Sequence, residues 1–132
     1  MSLSRLVFLT PLISAWLASG PAAAAEDGRA LFAANCSACH QPAGQGIAGA
    51  FPALAGNAFV QGAPSVAAAT VLNGRGGMPS FKADLSDAQI AAILSFVRQS
   101  WGNTAGPVAE ADVAAGRSTS RADAGAPALQ AH

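Results

Sequence analysis

The sequence contains no tyrosine, only two cysteines and two histidines, and aromatic residues make up 6% of its 132 positions. With so few large rings, something other than side chains is expected to fill part of the interior. Charge is also scarce: seven basic and seven acidic residues cancel at pH 7, and Lys82 is the only lysine. A neutral balance removes the main electrostatic argument for binding nucleic acid or an anionic membrane surface. The cysteines, Cys36 and Cys39, stand too close together to close a long loop, so a disulfide framework is excluded. No long apolar run is present either. The longest stretch, Leu6 to Leu17, is broken by Pro11 and falls short of the roughly 20 residues that span a bilayer.

What is there begins with an address. Arg5, the apolar stretch and the small residues Ala22 to Ala25 before Glu26 read as a secretory signal peptide over 1–25, cut after Ala25. The mature chain is expected outside the cytoplasm and without a membrane span, where free thiols need a reason to persist. The mature part reads as one domain over 26–106, followed by a flexible tail over 107–132. In that tail alanine, glycine, serine and proline dominate, and about Gly116 to His132 is predicted to be disordered because it buries too little surface to offset ordering entropy. The remaining roughly 80 residues are few enough that a metal, a disulfide or an embedded cofactor is often needed for stability.

Within the domain the pattern is helical. Asp27 to about His40 forms a first helix with acidic residues at its positive end and Leu31, Phe32 and Cys36 sharing a face. Gln41 to about Gly62 is a glycine-rich loop with no sustained period, long enough in so small a domain to have a function. A short helix over Val66 to Leu72 stops at Asn73 and Gly74, and the run from Gly74 to Phe81 places Met78 on a loop. Ser86 with Gln89 is a capping box, flanked by Leu85 and Ile90 as a staple, that opens a last helix. Ile90, Ile93, Leu94, Val97 and Trp101 follow its apolar face, with Gly102 and Asn103 as the stop.

Cys36-Ser37-Ala38-Cys39-His40 matches C-x-x-C-H, the attachment signature of c-type haem. On a helix, positions three and four apart lie on one face, so both thiols and the imidazole address one object. The thiols become thioethers on the haem vinyl groups and His40 becomes an axial iron ligand. A thioredoxin-type redox pair would need a βαβ pattern that is missing, and a zinc site would need two more ligands where only His132 remains. For the sixth iron position the candidates are Met78, His132 at the chain end, or nothing. Met78 is favoured, because a glycine- and proline-flanked thioether is presented on a loop and suits a His/Met haem of raised potential.

The order of elements resembles the class I cytochrome c family over about Asp27 to Asn103: an all-α fold of three main helices and loops wrapped around one covalent haem c. Phe51-Pro52-Ala53-Leu54-Ala55-Gly56-Asn57, Gly77-Met78-Pro79-Ser80-Phe81 and Phe96 to Asn103 are similar to the small cytochromes and cytochrome subunits that serve periplasmic dehydrogenases. The resemblance implies that the Pro52 carbonyl accepts a hydrogen bond from His40, and that Gly28 and Phe32 meet Phe96 at a helix crossing. It also implies a periplasmic carrier of single electrons, not an enzyme, whose partners are a dehydrogenase upstream and an oxidase or another cytochrome downstream. A lysine-rich docking ring is absent, so steering by an acidic partner is not expected. Arg75 and Lys82, on either side of the methionine loop, read as solvated surface charge. The rival reading is a haem enzyme or a gas or redox sensor with an open sixth position, for which the mature chain offers no distal histidine beyond His132.

Overall fold

The computed structural model describes residues 27–125; the expected signal peptide and residues 126–132, His132 included, lie outside the described residues. Five helices follow in order: α1 (Gly28–Asn35), α2 (Ser37–His40), α3 (Pro64–Asn73), α4 (Asp87–Arg98) and α5 (Glu110–Gly125). Among the described residues the only β pairing is two isolated bridges, Ile47 with Phe51 and Arg75 with Met78.

α1 begins where the Asp27 carboxylate accepts from the backbone N–H groups of Arg29 and Ala30, satisfying donors that the helix itself leaves free. The single helix expected to run to His40 is broken at Cys36, whose φ of −120° is not helical. Both neighbours of Cys36 turn back on the preceding turn: Asn35 Nδ2 donates to the Leu31 carbonyl and Ser37 Oγ to that of Ala33. Side chains that bond the backbone four residues back tend to bend a helix. The cysteine motif therefore straddles a kink.

α1 crosses α4 at Gly28, where a Cβ would stand 2.1 Å from the Ala92 carbonyl oxygen. Absence of a side chain there is what lets the helices touch. Beyond the crossing, Phe32, Phe96 and Trp101 form a ring cluster with centroids 5.1–5.7 Å apart, each pair worth about 0.5–1.5 kcal/mol beyond its buried area. The capping box at Ser86 forms in both directions, and Ile90, Ile93, Leu94 and Val97 are buried as their spacing predicts. Trp101 is not on that helix. α4 ends at Arg98, and the Asn103 side chain reaches back to donate to the Val97 carbonyl. The ring returns to the core only because Trp101 adopts a left-handed φ of 53°.

Within the described residues, the stretch expected to be a flexible tail from 107 onward carries a packed helix, while residues 126–132 of that tail lie outside the description. Val108 and Val113 are buried, Val113 completely, and α5 packs on α3 and α4. Counting large apolar residues missed this helix for two reasons. Its alanines favour helix with little entropic penalty. Its anchors are few but complete: Gly116 lies against Leu72, and Arg117 pairs with Asp87 at 2.6 Å.

α4 is tied to the loops by Arg98, which is 4% exposed and donates to the carbonyls of Gly106, Val60 and Gly62 at 2.6–2.8 Å. One guanidinium thus fastens the segments on either side of the core. It does so with carbonyls as acceptors, which a buried cation requires when no carboxylate is used.

Candidate haem-binding site

Between α1, α3, α4 and the two loops lies a cavity of about 720 Å³ whose walls are mainly apolar. Its volume falls within the roughly 300–1,000 Å³ typical of enclosed ligand sites. Cys36, Cys39 and His40 line one part of it, Pro52 and Phe51 the adjoining loop, and Met78 another part, with Phe32, Ile93, Leu94 and Val97 between them. All five residues singled out from the sequence are therefore on the wall of one cavity.

The kinked α1–α2 pair sets the first wall. His40 N–H donates to the Cys36 carbonyl at 2.9 Å, and the His40 carbonyl accepts from Gly46 N–H at 2.9 Å, so the histidine backbone is bonded on both sides. Its ring Nδ1 lies 2.9 Å from the Pro52 carbonyl oxygen. A carbonyl only accepts, so Nδ1 carries the proton and Nε2 keeps its lone pair free for a metal. The turn that offers this carbonyl is held by Leu54 and Ala55 N–H groups, which both donate to the Gly44 carbonyl.

The thiols are unbonded to each other. Burial first, and the adjacent Cys39 second, push the Cys36 thiol up to about 11. An environment that disfavours a thiolate suits a neutral thioether. Among the described residues no three histidine, cysteine or acidic side chains converge to hold an ion by themselves. A large apolar cavity edged by two thiols, an imidazole with a free lone pair and a thioether fits a haem.

Met78 sits at the corner of a tight turn in which Met78 N–H donates to the Arg75 carbonyl at 3.0 Å and Arg75 N–H to the Met78 carbonyl at 3.2 Å. Gly74 makes the turn possible: its φ is +73°, and a Cβ there would lie 2.5 Å from the Met78 carbonyl oxygen. Downstream, Phe81 N–H donates to the Val71 carbonyl and Ser80 Oγ to that of Leu72, fastening the loop to α3. Arg75 is exposed, as its reading as surface charge requires, yet its guanidinium lies 5.4 Å over the Phe59 ring and both residues edge the cavity. Lys82 is half-buried and not on that wall.

Sequence reasoning gave no role to Arg98 or Arg117 and read Asn103 only as a helix stop. Their partners lie far along the chain, Val60 for Arg98, Leu54 for Asn103 and Asp87 for Arg117, so no local spacing marks them.

Comparison with known proteins decides the family. Residues 23–97 match the family described as "Cytochrome C oxidase, cbb3-type, subunit III". The chain belongs to the cytochrome c family. A cytochrome c-552 from Thermus thermophilus is 36% identical over 108 residues, covering 70% of this chain and 72% of that protein. The cytochrome c subunit of a quinone-dependent alcohol dehydrogenase from Gluconacetobacter polyoxogenes is 35% identical over 130 residues, covering 89% of this chain. This cytochrome spans only 26% of the length of that subunit. Among solved structures, a cytochrome c6 from the diatom Phaeodactylum tricornutum is 28% identical, with 68% of this chain and 94% of that chain covered and a TM-score of 0.47.

Membership of this family gives the chain an all-α cytochrome c fold and a covalently attached haem c as its cofactor. No helix among the described residues is long and apolar enough to cross a membrane.

Proposed function

We propose that Cys36 and Cys39 tether the haem, that His40 and Met78 are its axial ligands, and that the protein works in the periplasm. There it takes single electrons from a dehydrogenase and passes them towards a terminal oxidase or another cytochrome. The observation that carries the ligand assignment is the meeting of both thiols, His40 and Met78 on one apolar cavity, with the His40 ring turned by Pro52 so that Nε2 is free.

When bound, the haem iron supplies reversible one-electron oxidation and reduction. The chain's own residues do the rest. Two thioether links keep the group from leaving. The Pro52 carbonyl draws on the Nδ1 proton of His40 and makes the imidazole a stronger donor. The Met78 thioether, as the second ligand, would favour the reduced state and raise the potential. Phe32, Leu94 and Val97 give the cavity an apolar wall, which would leave little solvent to reorganise when the charge changes. With His40 and Met78 both holding the iron, oxygen and peroxide would find no place to bind, as a carrier requires.

Two features support the proposed partners. A cytochrome subunit of a dehydrogenase and an oxidase-subunit family are among the matches, and a neutral, lysine-poor surface does not demand a strongly charged partner. The test is the mass and visible spectrum of protein purified from the periplasm, in both redox states. A mass of the chain cut after Ala25 plus one haem, low-spin in both states, with a methionine-to-iron charge-transfer band when oxidised, is the expected result. A high-spin haem that binds carbon monoxide readily would refute the ligand set. Recovery only in the cytoplasm would refute the location.

A further inference from the structure

Arg117 on α5 faces the segment that follows the methionine loop. Its Nε donates to Asp87 Oδ1 at 2.6 Å, Nη1 to the Lys82 carbonyl and Nη2 to the Leu85 carbonyl at 3.0 Å. Three successive points of one stretch, Lys82 to Asp87, are thus gripped by a single half-buried guanidinium whose planar fork suits such multiple contacts. The same helix is seated on α3 by fully buried Val113 and by Gly116 against Leu72. Leu72 is itself the residue whose carbonyl accepts from Ser80 of the methionine loop. α5 therefore touches both mountings of that loop: the helix before it and the segment after it.

The middle of the loop is held more lightly, by its own turn and by Arg75 over the Phe59 ring. A Cβ added at Gly76 or Gly77 would meet nothing within 4 Å. We propose that α5 is a strap and Arg117 a positioning residue for Met78: by pinning Lys82 to Asp87 it limits how often the loop opens and the thioether leaves the iron. This rests on Met78 being the sixth ligand. Loop opening is a local equilibrium, and releasing one mounting raises the open population without requiring the molecule to unfold.

The experiment uses the full-length holoprotein and three variants. Arg117→Ala removes the grip, Arg117→Lys keeps the charge and at most part of the hydrogen bonding, and Asp27→Ala weakens α1 far from the loop as a control for general destabilisation. Two readouts are taken: the rate at which cyanide binds the oxidised protein, which requires Met78 to have left, and hydrogen exchange of the Phe81 and Leu85 amides, which reports the loop itself. Arg117→Ala should bind cyanide on the order of tenfold faster than wild type, with faster exchange at both amides. Arg117→Lys should fall between the two, and Asp27→Ala should match wild type. Cyanide rates and amide exchange that stay within about twofold in Arg117→Ala, or rise equally in Asp27→Ala, would overturn the strap while leaving Met78 as ligand. A wild-type spectrum without the methionine-to-iron band would instead sink the ligand assignment, and the strap with it.

Discussion

The wall that carries Cys36, Cys39 and His40 is a pair of short helices closed by backbone hydrogen bonds, whereas the wall that carries Met78 is a glycine-rich turn fastened at its ends. On the first wall every functional group lies within five consecutive residues, and even the outside contact, Pro52, comes from a loop bonded straight back to Gly44. On the second, position depends on α3, on α5 and on the residues between Lys82 and Asp87. The histidine side is a local construction and the methionine side a tertiary one. On the proposed ligand set, a protein built this way keeps its haem under stress but releases Met78 first.

Breaking the first wall should have the largest effect. Replacing Cys36 and Cys39 together by alanine removes both tethers, and the expected outcome is loss of covalent haem, read by intact mass. The small core is expected to unfold with it, read by circular dichroism. Breaking the second wall should be milder: Met78→Ala retains attached haem but turns high-spin, and its reduction potential falls by on the order of 100–200 mV, within the about 0.8 V over which axial ligands act. A Met78→Ala protein with unchanged potential would remove the distinction between the walls.

Gly28→Ala tests the scaffold behind both. With the Ala92 carbonyl oxygen 2.1 Å from the new Cβ, α1 must move from α4 at an expected cost of about 2–3 kcal/mol, visible as a lower denaturant midpoint with the haem spectrum retained. Gly46→Ala sharpens the comparison most finely. Its φ is +64°, and a Cβ would stand 2.5 Å from the Phe51 carbonyl oxygen and 2.7 Å from the Pro52 carbonyl carbon, so the turn that meets His40 must shift. A weakened Nδ1 contact makes His40 a poorer donor, and the potential should rise by on the order of tens of millivolts, measured by spectroelectrochemistry.

The same division explains what could be read from the sequence. The C-x-x-C-H run, the capping box at Ser86 and the stop at Gly74 are local chemistry, and each lies where spacing put it. The break at Cys36 was hidden because the apolar period runs through it while the side chains of Asn35 and Ser37 bend the backbone. Trp101 misled for the related reason that its period continues after Asn103 has taken the Val97 carbonyl and the helix has ended. α5 was invisible because it is held by one guanidinium on partners about thirty residues away, by Val113 and by Gly116 against Leu72, a pattern indistinguishable by composition from an unstructured tail. Met78 was legible as a loop methionine, yet nothing in its neighbourhood announces the distant helix that steadies the loop.

The most direct test of the two-wall account is the proton spectrum of the reduced protein. Bound to low-spin iron, the methyl group of Met78 lies over the haem ring current, so the account predicts one three-proton line far upfield of the protein envelope, absent in Met78→Ala. A reduced wild-type spectrum with no such line would show that Met78 is not on the iron and would contradict the central claim.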